Sequence, residues 1–122
     1  MSGILIRTAA ISSLLLVSAC AGVQLLEAEV TRPSGSEFDA QLHKGYLALS
    51  ESHFSEGDFT NAGLFADRAV QAASGTGVNP EAIDARKLPD EKVAELSRAR
   101  GRLVRALAGG SARKNPVDSA RA

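Results

Sequence analysis

The residue best suited to chemistry in this chain is Cys20, its single cysteine. It follows Val17-Ser18-Ala19 and precedes Ala21-Gly22, at the end of an apolar stretch that begins after Arg7. A basic residue, a short apolar run and then small residues is the plan of a secretory signal peptide. One cysteine excludes an internal disulfide, although export would permit one. The remaining reactive side chains form no catalytic constellation. His43 and His53 stand ten residues apart on one expected helix, with no cysteine or paired carboxylate at ligand spacing, so no metal site is expected. His53 reads as filling an aromatic slot between helices and His43 as surface. Ser50-Glu51-Ser52-His53 contains no Gly-x-Ser-x-Gly elbow, and Gly75-Thr76-Gly77 has neither a preceding strand nor a following lysine to cradle phosphate. No catalytic residue, cofactor or small-molecule substrate is identified.

Val17-Ser18-Ala19-Cys20 resembles a bacterial lipobox. That resemblance implies acylation of the Cys20 thiol, removal of residues 1–19 and acylation of the new amino terminus. One acyl chain holds a membrane reversibly, at about 0.8 kcal/mol per buried methylene, whereas several hold it stably. Ala21 in place of aspartate after the cysteine implies, by the same resemblance, passage to the outer membrane, facing the periplasm. Three other readings stand beside it. Ala19-Cys20-Ala21 also fits a signal-peptide cut that releases a soluble protein. An uncleaved span falls short of the ~20 apolar residues a bilayer needs. Cys20 can also be a buried small hydrophobe.

The elements that must position these residues read as helices. Alanine is abundant, tryptophan is absent and aromatics make up 4% of the 122 residues. The length allows one small domain. Formal net charge is zero, which gives no global attraction to nucleic acid. The charge is split, however. Ten acids oppose three bases from Ala21 to Asp84, and ten bases oppose four acids from Ala85 onward. Such a split can join the two halves or meet a charged partner.

Residues 20–36 are expected to form a lipid-anchored tether, with a turn or two of helix before Thr31-Arg32-Pro33-Ser34-Gly35 breaks it. Residues 37–109 are expected to form the helical domain. Ser36 with Asp39 makes a shortened capping box for a helix from about Glu37 to Phe54, whose apolar face is Phe38, Leu42, Tyr46, Leu49 and His53. Gly57 ends it. A second helix, about Phe59 to Ala73, carries Ala62, Ala66, Ala69 and Ala73 along one side, which invites close approach of the first. Asn79-Pro80 opens a turn or two through Ala85. Pro89-Asp90-Glu91 opens a third main helix with the apolar stripe Val93, Leu96, Ala99, Leu103, Ala106 and Leu107, expected to fold back across the hairpin. Gly109-Gly110 stops it, and residues 110–122 are expected to be a disordered tail. The basic face Arg98, Arg102 and Arg105 is a candidate interaction surface for anionic lipid or glycan, weighed against an ordinary solvated face.

Tyr46, Leu49, Ser50, His53, Gly57, Phe59, Ala62 and Ala69 follow tetratricopeptide spacing, departing from it at Ala66 and Ser74. The expected fold is therefore all-α: a tetratricopeptide-like hairpin plus a third packing helix, after a cleaved signal peptide. A wider resemblance rests on Phe38-Asp39, Gln41-Leu42, Gly45-Tyr46, Leu49-Ser50-Glu51, Gly57-Asp58-Phe59, Phe65-Ala66, Pro80, Ile83-Asp84-Ala85-Arg86, Leu88-Pro89 and Leu103-Val104-Arg105-Ala106-Leu107. Over Phe38 to Leu107 the chain resembles the helical amino-terminal region of alphaproteobacterial outer-membrane protein A (OmpA) family proteins. The resemblance implies a non-catalytic envelope role, with an envelope protein as a partner. In that family a carboxy-terminal domain grips peptidoglycan; no counterpart is found here, so none of its binding residues is carried over. The chain is read as a truncated relative or a piece of a longer protein.

Overall fold

The computed structural model describes residues 19–122, and there the chain is all-α with no strand. The signal-peptide reading falls, apart from residue 19, outside the described residues. Helix α1 covers residues 19–30, α2 Glu37–Ser55 and α3 Phe59–Ala73. A single 3-10 turn, Ile83–Ala85, precedes α4 (Asp90–Ala108), and the short helices α5 (Ser111–Lys114) and α6 (Pro116–Arg121) follow.

Local sequence chemistry sets the hairpin boundaries as expected. The Ser36 hydroxyl accepts from the Asp39 amide (3.2 Å) and the Asp39 carboxylate accepts from the Ser36 amide (2.8 Å), completing the capping box. Gly57 takes φ +80° between the helices, a conformation that costs glycine little. Asp58 then caps α3 by accepting from the Asn61 amide.

The face that α2 turns toward α3 is not led by its largest apolar residues. Leu49 is exposed, whereas His43 and Ser50 are buried, at 8% and 0% exposure. His43 Nδ1–H donates to the Ala69 carbonyl (3.0 Å) and Ser50 Oγ–H to the Ala62 carbonyl (2.7 Å). The surface position expected of His43 is thus corrected. Ala62, Ala66, Ala69 and Ala73 are all buried, as expected, and bare methyl groups let α2 come close enough for short polar side chains to reach the α3 backbone. Tyr46 and Leu47 pack against the cluster of Ala28, Ala66 and Ala69.

Two segments expected to be loose are ordered. Residues 20–36 are not a tether: Ala21 and Ala28 of α1 are buried, and Gln24 donates to both carboxylate oxygens of Asp67 on α3 (3.0 and 3.1 Å). A β-carbon at Gly63 would meet the Gln24 side-chain amide, which would have to shift to make room. Ser34 closes the following connection by donating its amide to the Ala73 carbonyl (2.8 Å), one of the end carbonyls that α3 cannot satisfy internally. The tail is likewise not disordered. Gly110 turns the chain at φ +85°, Pro116 sits in the first turn of α6, and α6 lies against α2.

Helix α4 has the expected extent but not the expected burial. None of its residues is buried, and Val93, Leu96 and Val104 are exposed. Its stripe faces the hairpin across an open groove, because polar side chains occupy one end of the space and α6 already covers part of α2. Substituting Ala66 with leucine should therefore lower stability by about 1–3 kcal/mol through overpacking. Leu103→Ala should cost less than the about 2–5 kcal/mol typical of a buried leucine. Urea denaturation of both variants checks the contrast, and a larger loss at Leu103 would place α4 in the core.

Candidate functional site

Among the recesses of the described fold, one borders Cys20 and another lies under α4. Cys20 is exposed in the first turn of the described part of α1. It borders a recess of about 300 Å³ formed with Ala21, Gln24, Phe59, Thr60, Gly63 and Leu64. The thiol is thus open to modification while its helix is fixed to α3. No helix among the described residues is long and apolar enough to cross a membrane.

The groove has a volume of about 440 Å³. Leu96, Ala99, Leu103 and Leu107 of α4 line one side, and Phe38, Leu42, Tyr46 and Phe65 of the hairpin the other. At one end sits an ionic cluster. Glu81 pairs with Arg68 (3.2 Å) and Arg86 (2.9 Å), and its side chain is 26% exposed. Burial raises the cost of ionising this carboxylate, but the hydrogen bonds and charges of Arg86 and Arg68 outweigh it and hold the pKa below the ordinary 4.5. Both guanidinium groups also lie over the Phe65 ring, with Arg68 at 5.8 Å and Arg86 at 5.5 Å from its centroid. Phe65 in turn stacks on Tyr46 and His53. Arg86 Nη1 donates to Asn61, while Arg86 Nη2 is buried without a partner.

Arg100 joins this end to α4. Its Nε donates to the Glu81 carbonyl (2.7 Å) and its Nη2 to the Pro80 carbonyl (3.2 Å). In the sequence Glu81, Arg68, Arg86 and Arg100 carry no signature of a site, and Arg86 enters only among the residues of the family resemblance. No periodicity connects the first three, since Glu81 and Arg86 lie in an irregular connection and Arg68 on a different helix. The acidic and basic halves of the chain meet in one described ion pair, Glu81–Arg86.

The candidate surface residues Arg98, Arg102 and Arg105 are exposed on α4. Among the described residues none of them forms an ion pair. Arg102 borders a shallow recess with Ala106, Ser111 and Asp118, and the three arginines do not line the main groove. His53 Nδ1–H donates to Asp58 (3.1 Å) and stacks on Phe65, filling the aromatic position expected of it. Hydrogen bonds from the Asn61 side chain and amide, then the neighbouring His53, hold the Asp58 carboxyl below its usual range against a small burial cost. Among the described residues no group of three or more histidines, cysteines or carboxylates is placed to hold a metal ion.

No family model, curated protein or solved structure matches this chain.

Because the folded-state pKa of Glu81 is depressed, its contribution to stability is full above about pH 4.5 and is lost as pH falls through the folded value. Urea unfolding between pH 3 and 7 should show stability declining at the acid end. Glu81→Gln should reduce that decline and lower stability at neutral pH; an unchanged profile would mean that the cluster does not hold the connection in place.

Proposed function

We propose that this chain is a non-catalytic envelope lipoprotein, anchored through lipid on Cys20 to the outer membrane, facing the periplasm and serving a structural or scaffolding role. The observation that carries the reading is a sole cysteine, exposed on α1, directly after the Val17-Ser18-Ala19 end of a signal-like segment. The resemblance of Phe38 to Leu107 to the helical region of OmpA-family proteins supports the envelope assignment. On this reading the rest of the chain is a body that the anchor carries and that meets other envelope components.

A second reading, a protein-binding module, draws on the groove, whose two apolar walls are left unfilled by the described chain. The same module can serve as the front of a longer peptidoglycan-binding protein. Arg98, Arg102 and Arg105 share one exposed face of α4 and line no part of the groove, so nothing in their placement favours wall binding by this region alone.

Cys20→Ser, expressed in a bacterial host with radiolabelled fatty acid, should lose the label and move from the membrane to the soluble envelope fraction. Full labelling and unchanged sedimentation of the serine variant would overturn the anchor.

A further inference from the structure

We infer that the groove between α4 and the hairpin is a binding site for a single-chain amphiphile with an anionic head, its chain lying between the two apolar walls and its head meeting Arg86. The site is on the far side of α3 from α1 and goes beyond the proposed anchor, on which it does not depend.

Size argues for one chain. A groove of about 440 Å³ falls in the range of small-molecule sites, roughly 300–1,000 Å³, which are mostly apolar with a few placed polar groups. Leu96, Leu103 and Leu107 spread along about 16 Å of α4 at 1.5 Å per residue, so the apolar lining is long enough for an extended chain.

Charge argues for an anionic head. Arg68, Arg86 and Arg100 gather at one end around a single carboxylate, Glu81, leaving an excess of positive charge beside an apolar trough. Two of the Arg100 nitrogens are committed to backbone carbonyls, whereas the Arg86 side chain is 36% exposed and its Nη2 has no partner. Nη2 is closed to solvent as the side chain stands, so an anionic head, carboxylate or phosphate, takes a charge-assisted bond from it when the guanidinium turns toward the groove. The two head groups share this chemistry. Tyr46, the only tyrosine of the chain, lines the groove and reports on its occupancy.

The whole purified chain is titrated below micelle formation with laurate, dodecyl phosphate and dodecyltrimethylammonium, following Tyr46 emission and calorimetric heat. At least one anion should bind saturably, one per chain, and the cation at least about tenfold more weakly. A preference between laurate and dodecyl phosphate identifies the head as carboxylate or phosphate. Arg86→Gln should weaken the anion by about tenfold or more, the loss of a charge-assisted bond, with partial recovery in Arg86→Lys. Because Arg86 also holds Glu81, Leu103→Gln provides a second variant in the half-exposed wall. It should weaken binding of every amphiphile without unfolding the chain. Equal binding of cation and anion, indifference to both substitutions, or saturable binding only of an apolar helical peptide would each overturn the proposal. Retention of the site in Cys20→Ser is expected, and it keeps this test separate from that of the anchor.

Discussion

When the facing positions of two helices are alanine, their backbones approach until a short side chain on one can reach a carbonyl on the other. That constraint governs this molecule. His43 and Ser50 stand two turns apart on α2 and donate to Ala69 and Ala62 in reverse order on α3, fixing an antiparallel register at two points. Each donor is buried, so slipping the register leaves it without an acceptor, at about 1–3 kcal/mol apiece. Hydrophobic burial by methyl groups is non-directional and would tolerate such a slip; the two polar contacts would not. α1 depends on the same arrangement, because Ala28 packs where Ala66 and Ala69 bring the helices together.

Much of the helical order was legible in the residues. Ser36 with Asp39, Gly57, the alanine stripe of α3 and the Pro89–Gly109 limits of α4 are local signals, and the chain obeys them. What escaped was burial. A stripe built from large apolar residues put Leu49 inside and His43 outside, the reverse of the structure, because close contact between helices favours small groups over large ones. Residues 111–122 carry too little periodicity to announce α6, whose place against α2 is settled by tertiary contact. The ionic cluster was illegible for a different reason. Glu81, Arg86 and Arg100 belong to a connection and to the helix after it, and only the fold brings Arg68 and Phe65 to meet them.

That cluster also explains why a small helical chain leaves a trough open. α4 is tied down through Arg100 at the Pro80–Glu81 backbone and through its contacts with the Ile83–Ala85 turn and α5. Polar ties hold the helix at a set distance, and they are insensitive to whether the apolar walls touch. The half-exposed stripe of α4 is thus compatible with a fixed helix. Leu96 is 39% exposed, and Leu103 and Leu107 are only partly buried.

The docking of α1 carries a mechanical consequence. A flexible leader lets a protein swing about its anchor like a buoy on a line. Here the helix that bears Cys20 is clasped to α3 through Ala21, Gln24 and Ala28, while Val23, Leu26 and Val30 lie outward at 67%, 59% and 68% exposure. With Cys20 acylated as proposed, lipid at the start of α1 holds the packed body close to the membrane, with no flexible leader between them. Gly63 and Asp67 of α3 face this helix, and Phe65 and Arg68 face the opposite way, into the groove. The trough therefore lies on the side of α3 away from the helix that bears Cys20.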